Sequence, residues 1–242
     1  MNINQLSKRL MAVAARIPSQ AVMADIGSDH AYLPCYAVKK GLAMKAIAGE
    51  VADGPLHAAK QQVKDAGLQE KIDVRKGNGL EVIAAGEVDC ITIAGMGGTL
   101  ITSILNEGKE KLTGVKRLIL QPNLRADHIR KWLIENDWEL IDEEIMEEDG
   151  KIYEILTAEK GDAEKPYGTR RELELLTGPM LLAEKNDAFL KRWRREADQL
   201  EVVLRNLEKA ENQRAASDKR RSVLQELQLI KEAIGSEESE RT

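Results

Sequence analysis

The chain has 242 residues, room for one domain of about 150 residues and a smaller appendage. Hydrophobic residues make up 43% and aromatics only 3%, which excludes wholesale disorder and argues against an aromatic platform for stacking single-stranded RNA. The net charge of −5 by itself counts against a polyanionic partner, but local clusters of cations override a net value.

A leading helix is expected over Asn4–Arg16, ending before Pro18. Short apolar runs then alternate with longer amphipathic stretches. The strand candidates are Val22–Ile26, Lys45–Gly49, Ile72–Lys76, Val88–Ala94 and Arg117–Gln121. Between and after them lie helix candidates Tyr32–Lys40, Gly54–Ala66, Thr99–Asn106 and Arg125–Asn136. Repeated βα units predict a parallel sheet covered on both faces, an α/β fold of Rossmann-like type. Trp138–Glu147 and Lys151–Ala158 flank Asp149-Gly150, a dipeptide that favours a tight hairpin, so an antiparallel hairpin should finish the sheet.

The texture changes near Gly161. Leu190, Trp193, Ala197, Leu200, Leu204 and Leu207 recur at spacings of 3 and 4, and Val223, Leu227, Ile230 and Ile234 repeat the pattern. The reading is an antiparallel helical hairpin packed as a coiled coil, with Ser217 as N-cap of its second helix and a frayed tail from Gly235 to Thr242. The chain therefore divides into residues 1–160 and 161–242. Cys35 and Cys90 sit among apolar residues with no partner at ligand spacing, which fits reduced buried thiols and no metal site. No segment reads as a secretory leader or membrane span, so a cytoplasmic protein is expected, with a monomer favoured.

The chemistry concentrates at the carboxyl ends of the five expected parallel strands. They carry Asp25-Ile26-Gly27-Ser28-Asp29-His30, Ala48-Gly49-Glu50-Val51, Gly77-Asn78-Gly79, Ala94-Gly95-Met96-Gly97-Gly98 and Gln121-Pro122-Asn123. Ligands of open α/β sheets bind along that edge. Gly27 permits a tight turn with a ligand against the main chain. Glu50, 25 residues after Asp25, stands where a carboxylate accepts from ribose hydroxyls. Asn78 offers an amide for an adenine edge. A dinucleotide loop needs further glycines and helix amides for pyrophosphate, whereas this loop places the Asp29 carboxylate there. A cationic, phosphate-free ligand such as S-adenosylmethionine suits that charge better than NAD. Any one of these loops alone reads equally well as an ordinary turn, and Glu50 alone as a solvated cap; their conjunction carries the reading. His57 and His128 fall on helices as surface or packing residues, and the three tryptophans read as core anchors.

Asp25-Ile-Gly-Ser-Asp-His-Ala-Tyr-Leu-Pro34, Ala94-Gly-Met-Gly-Gly98 and Gln121-Pro-Asn123 together resemble the bacterial TrmK family. The resemblance covers essentially the whole chain. It implies a class I methyltransferase domain followed by a helical coiled-coil domain, and methylation of adenine N1 at tRNA position 22 with S-adenosyl-L-methionine as donor. The implied donor-binding set is Asp25, Gly27, Ser28, His30, Glu50, Val51, Gly77, Asn78, Gly79, Ala94, Gly95 and Met96. Asp29 is the candidate for stabilising charge on the base, with Tyr32 and Asn123 positioning it. Adenine N1 has an in-plane lone pair, so alignment rather than deprotonation should dominate, and a paired adenine must first be flipped out.

Residues 160–242 hold 17 basic and 17 acidic residues, so the whole negative excess lies in the first part. Arg192 and Arg195, within the run Lys191–Arg195, and Arg220, within Lys219–Arg221, are candidates for tRNA phosphates, as are Arg9, Arg125 and Arg130 near the expected pocket. The residues alone leave open a methyltransferase for a small molecule or protein, and a non-catalytic nucleotide-binding scaffold.

Overall fold

The computed structural model describes residues 3–208 and 213–235. One seven-stranded sheet organises the chain, from β1 (Ala21–Ile26), β2 (Ala43–Glu50), β3 (Ile72–Lys76), β4 (Cys90–Met96), β5 (Arg117–Pro122), β6 (Trp138–Glu148) and β7 (Lys151–Lys160). Its order is β3-β2-β1-β4-β5-β7-β6, parallel from β3 to β5 and antiparallel at β7 and β6. Asp149 and Gly150 form the predicted two-residue hairpin turn, with positive φ of 50° and 74° and Glu148 paired to Lys151.

Helices α1 (Lys8–Ala15), α2 (Tyr32–Lys39) and α3 (Asp53–Asp65) bury one face of the sheet through Val13, Cys35, Ala59 and Val63. Helices α4 (Gly98–Glu107) and α5 (Ala126–Glu135) bury the other through Ile101, Leu105, Ile129 and Leu133. Covered on both faces, the central strands are continuous apolar runs such as Ile91 and Ile93, neither measurably exposed. Cys35 and Cys90 are free and buried, and burial pushes their thiols up to about 11 and about 12. Trp132, Trp138 and Trp193 are buried, as core anchors should be.

Boundaries differ from the expected ones at several places. The leading helix begins at Lys8 rather than Asn4, because Ser7 Oγ accepts from the Leu10 N–H at 3.3 Å and caps it there. Strand β4 starts two residues later than Val88 and runs on to Met96, through an irregularity between Ala94 and Met96 where Gly95 takes φ +82°. Two short helices, α6 (Arg171–Thr177) and α7 (Pro179–Glu184), precede the long pair and are separated by Gly178 at φ +93°.

Helices α8 (Asp187–Glu208) and α9 (Gln213–Ile234) are the last elements among the described residues. Ser217 lies inside α9 and does not cap it, because the helix already runs from Gln213. Asn212 and the tail after Gly235 lie outside the described residues. Phe189, Trp193, Ala197, Leu227, Ile230 and Ala233 form a third core with Leu173, Leu181 and Leu182, and Ile145 of β6 joins it. The apolar seam thus buries against the hairpin of the sheet as well as between the two helices.

Beneath that junction Arg130 is fully buried. Its guanidinium bonds Glu143 at 2.7 Å and Glu154 at 2.5 Å, and reaches the carbonyls of Leu175 and Leu176 at 3.3 and 3.2 Å. Burial opposes its charge, but the two carboxylates prevail and keep it protonated. Arg130 is therefore no phosphate contact: it ties α5, the hairpin and α6 together.

Candidate functional site

The strand order reverses between β1 and β4, so their carboxyl ends diverge and open a crevice. A cavity of about 340 Å³ lies there, lined by Arg9, Leu10, Asp25, Gly27, Ser28, Asp29, Tyr32, Leu33, Ala94, Gly95 and Met96.

The loop after β1 is built by hydrogen bonds rather than by glycines. Asp25 is buried, and accepts from Ser28 Oγ at 2.6 Å and Thr92 Oγ1 at 2.6 Å. Burial raises its pKa, and the two hydroxyls pull the other way. Gly27 has φ +68°, and a Cβ there would collide with Met96 Cε. Gly27 and Ser28 donate their N–H groups to the Gly49 carbonyl at 3.0 and 3.2 Å. Asp29, at φ +54°, donates its N–H to the Glu50 carboxylate and leaves its own carboxylate 69% exposed. Glu50 is buried, and its pKa is raised, first by that burial. His30 Nε2 lies 3.6 Å from Asp29 Oδ1, and its ring lies 5.4 Å from that of Tyr32.

The floor comes from β4 and β5. Gln121 is fully buried, with Oε1 accepting the Gly95 N–H at 2.9 Å and a bond from Arg9 Nη1. Asn123 donates Nδ2 to the Gly95 carbonyl at 2.7 Å, and its N–H to the Met96 carbonyl at 2.7 Å. A Cβ on Gly98 would collide with the Arg125 carbonyl, so the start of α4 abuts the loop after β5.

The structure thus gathers Asp25, Gly27, Ser28, Asp29, Tyr32, Ala94, Gly95 and Met96 around one cavity, with Glu50, His30 and Asn123 bonded or stacked against its walls. Gly77 joins through its N–H to the Glu50 carbonyl at 2.9 Å, while Val51 is 63% exposed at the rim. Asn78 and Gly79 line a separate 70 Å³ pocket beside Ile104 and Glu107. Among the basic candidates, Arg125 bonds Asp127 at 2.9 and 3.0 Å. Arg192 is half-buried, 3.2 Å from Glu154. Arg195 is exposed and reaches the Gly150 carbonyl at 3.4 Å, and Arg220 is exposed on α9. Gln121, Thr92 and Leu10 are site residues that sequence reasoning did not single out. Gln121 sat in plain view in the Gln-Pro-Asn motif; the other two carry no local signal.

The carboxylates and the crowded glycine turn at this cavity suit an S-adenosyl ligand. The family model for tRNA (adenine(22)-N(1))-methyltransferase, TrmK, matches residues 23–232. The chain belongs to this family. The TrmK enzyme of Bacillus subtilis (strain 168), a tRNA (adenine(22)-N(1))-methyltransferase, is 53% identical over 235 residues, 97% of this chain and 99% of that protein. The crystal structure of B. subtilis TrmK matches with a TM-score of 0.93 at 52% identity, covering 96% and 99% of the two chains. A Streptococcus pneumoniae chain solved in complex with S-adenosyl-L-methionine matches with a TM-score of 0.84 at 42% identity, covering 95% and 100%. M. capricolum TrmK in complex with S-adenosyl-homocysteine matches with a TM-score of 0.78 at 26% identity, covering 95% and 97%. Among the described residues no helix is long and apolar enough to cross a membrane, and no cluster of three or more acidic, His or Cys side chains is placed to hold a metal ion.

Proposed function

We propose that this chain transfers a methyl group from S-adenosyl-L-methionine to N1 of the adenine at position 22 of tRNA. The observation that carries the reading is the crevice between β1 and β4, whose first loop brings Asp25, Gly27, Ser28 and Asp29 to the cavity wall. The donor, when bound, supplies an electrophilic methyl on a sulfonium. The chain supplies placement. Asp25, held by Ser28 and Thr92, fixes the turn at Gly27, and Glu50 accepts from the ribose hydroxyls. Val51 at the rim and Gly77, bonded to the Glu50 carbonyl, border the adenine side of the donor.

Asp29, Tyr32 and Asn123 receive the target base. The ring gains positive charge as N1 is alkylated, and the exposed Asp29 carboxylate stabilises that charge. Asn123, already bonded to the Gly95 carbonyl, keeps the floor in register for alignment. The helices after residue 160 hold the tRNA, with Arg195 and Arg220 on their exposed faces and Arg125 nearer the pocket. Arg192 contributes chiefly by anchoring α8 to Glu154. The protein works in the cytoplasm as a monomer.

Nucleoside mass spectrometry tests the activity. Unmodified tRNA incubated with protein and donor should yield 1-methyladenosine, and a tRNA carrying guanine at position 22 should not. Methylation of other acceptors with tRNA left untouched would overturn the reading.

A further inference from the structure

We propose that Leu124 is an apolar wedge that holds the target adenine out of its stack by filling the space the base leaves in the tRNA. This rests on the tRNA reading above and gives a role to a side chain outside the donor-binding wall.

Adenine N1 reaches the donor's methyl group only after the base leaves its neighbours, and the gap it leaves costs stacking free energy unless an apolar side chain fills it. Such a side chain has to be apolar yet exposed in the free protein. It has to stand at the cavity mouth, on backbone that does not yield. Single exposed apolar residues are ordinary on protein surfaces, so placement matters here more than exposure. Leu124 is 57% exposed. It follows Asn123 at the carboxyl end of β5, and its Cδ1 lies 4.0 Å from the position a Cβ would take on Gly97, next to Met96 of the cavity wall. It also lines a second cavity of about 270 Å³ beneath α8, together with Arg192 and Trp193. Leu124 is the one exposed large apolar side chain among the described residues that lines either cavity.

The backbone around Leu124 is held on both sides. Before it, Asn123 is bonded to the Met96 carbonyl through its N–H and to the Gly95 carbonyl through Nδ2, both at 2.7 Å. The Leu124 carbonyl itself accepts the Gly98 N–H at 2.8 Å, which ties the loop to the start of α4. After it, Arg125 takes a left-handed φ of 61°, and its guanidinium is clamped to Asp127 at 2.9 and 3.0 Å. The side chain therefore projects from a fixed crest, with Gly97 on one side and the groove under α8 on the other. A tRNA strand gripped by the long helices has to cross that crest to lower a base into the cavity. An apolar knob there meets the stack at the point where one base is missing, and burying it between the neighbouring bases removes its exposed surface from water.

The test compares the wild type with Leu124→Ser on two tRNAs, one native and one in which the nucleotide opposite the target adenine is abasic, so that unstacking is already easier. On native tRNA the variant's single-turnover methyl transfer should fall by about 10- to 100-fold. On the abasic tRNA it should return to within about threefold of the wild type. Filter binding of tRNA should change by less than about threefold, because phosphate contacts dominate affinity. Calorimetric donor affinity should be unchanged, which also reports an intact fold. A tRNA carrying 2-aminopurine in place of the target adenine should brighten on binding the wild type with S-adenosylhomocysteine, and should stay dim with Leu124→Ser. Leu124→Met should keep both the rate and the signal, and Met44→Ser, an exposed apolar residue near the amino end of β2, should change neither. Wild-type rates with Leu124→Ser on native tRNA overturn the proposal. So do equal losses on both tRNAs, a weakened donor, or no brightening with the wild type. Failure of the wild type to methylate either tRNA sinks the tRNA reading itself, whereas methylation indifferent to Leu124 sinks this proposal alone.

Discussion

The N–H of Asp29 donates to the Glu50 carboxylate, so the acid that ends β2 also holds the loop that ends β1. One side chain couples two walls of the pocket. Removing it should affect ligand binding in two ways, through the missing acceptor and through the released loop. Glu50→Ala should therefore weaken donor affinity more than about 10-fold, measured by calorimetry, and Glu50→Gln should weaken it less because the amide oxygen still accepts the Asp29 N–H.

Glu50 also sets a pH dependence. Burial raises its pKa, so the folded protein favours the neutral acid. Its contribution to stability is present at low pH and is lost as pH rises through the raised pKa. The ionised form that best accepts ribose hydroxyls has the opposite preference. Donor affinity should fall on acidification at a pH above the ordinary glutamate value of about 4.3, and Glu50→Gln should flatten that profile. An unaltered profile would remove Glu50 from donor recognition.

Asp29 occupies the left-handed region at φ 54°, which Asn tolerates better than Ala. Asp29→Asn keeps the backbone and removes the charge. Single-turnover methyl transfer should drop by about 100-fold or more while donor affinity holds within a few fold. Undiminished turnover would show that the carboxylate does not act on the base.

Gly27→Ala should abolish donor binding without unfolding the chain, because its Cβ collides with Met96 Cε in a conformation that already disfavours a side chain. Pairing it with Met96→Ala relieves the clash but not the φ strain. Partial recovery of affinity in the double variant, read against each single variant, separates the two effects.

Arg130→Ala strips the counter-charge from buried Glu143 and Glu154 and should cost about 3–5 kcal/mol, read as a lower midpoint in urea. For the same reason, cutting the chain at Glu159 is a poor test of tRNA binding, since it uncovers Arg130 and Ile145. Charge reversal at exposed Arg194 and Arg195 is cleaner. It should weaken tRNA binding and lower the salt slope by about one for each phosphate that is no longer neutralised, with donor affinity unchanged.

Much of the fold was legible from residue types. The strand ends, the Asp149-Gly150 turn and the heptad spacing are local signals, and local physics fixed them. The Ser217 cap failed because Ser is also accepted within helices, and the helix starts earlier at Gln213. Short helices α6 and α7 have too few turns for a periodic signal, and owe their place to packing under α8 and α9. The burial of Arg130 depends on Glu143, Glu154 and two carbonyls from Leu175 and Leu176, partners that sequence spacing does not announce. The inward anchoring of Arg9, expected from sequence as a phosphate candidate near the pocket, is not legible because Gln121 and Tyr153 are more than a hundred positions away.

Because Arg130 pins α6 from within, the long helices stand on a braced footing rather than a swivel. Under the tRNA-binding reading proposed above, the span from Arg195 and Arg220 to the cavity mouth acts as a gauge of fixed length. A minimal stem-loop presenting the right adenine, but too short to touch both ends of that gauge, should be a far poorer substrate than the full L-shaped molecule.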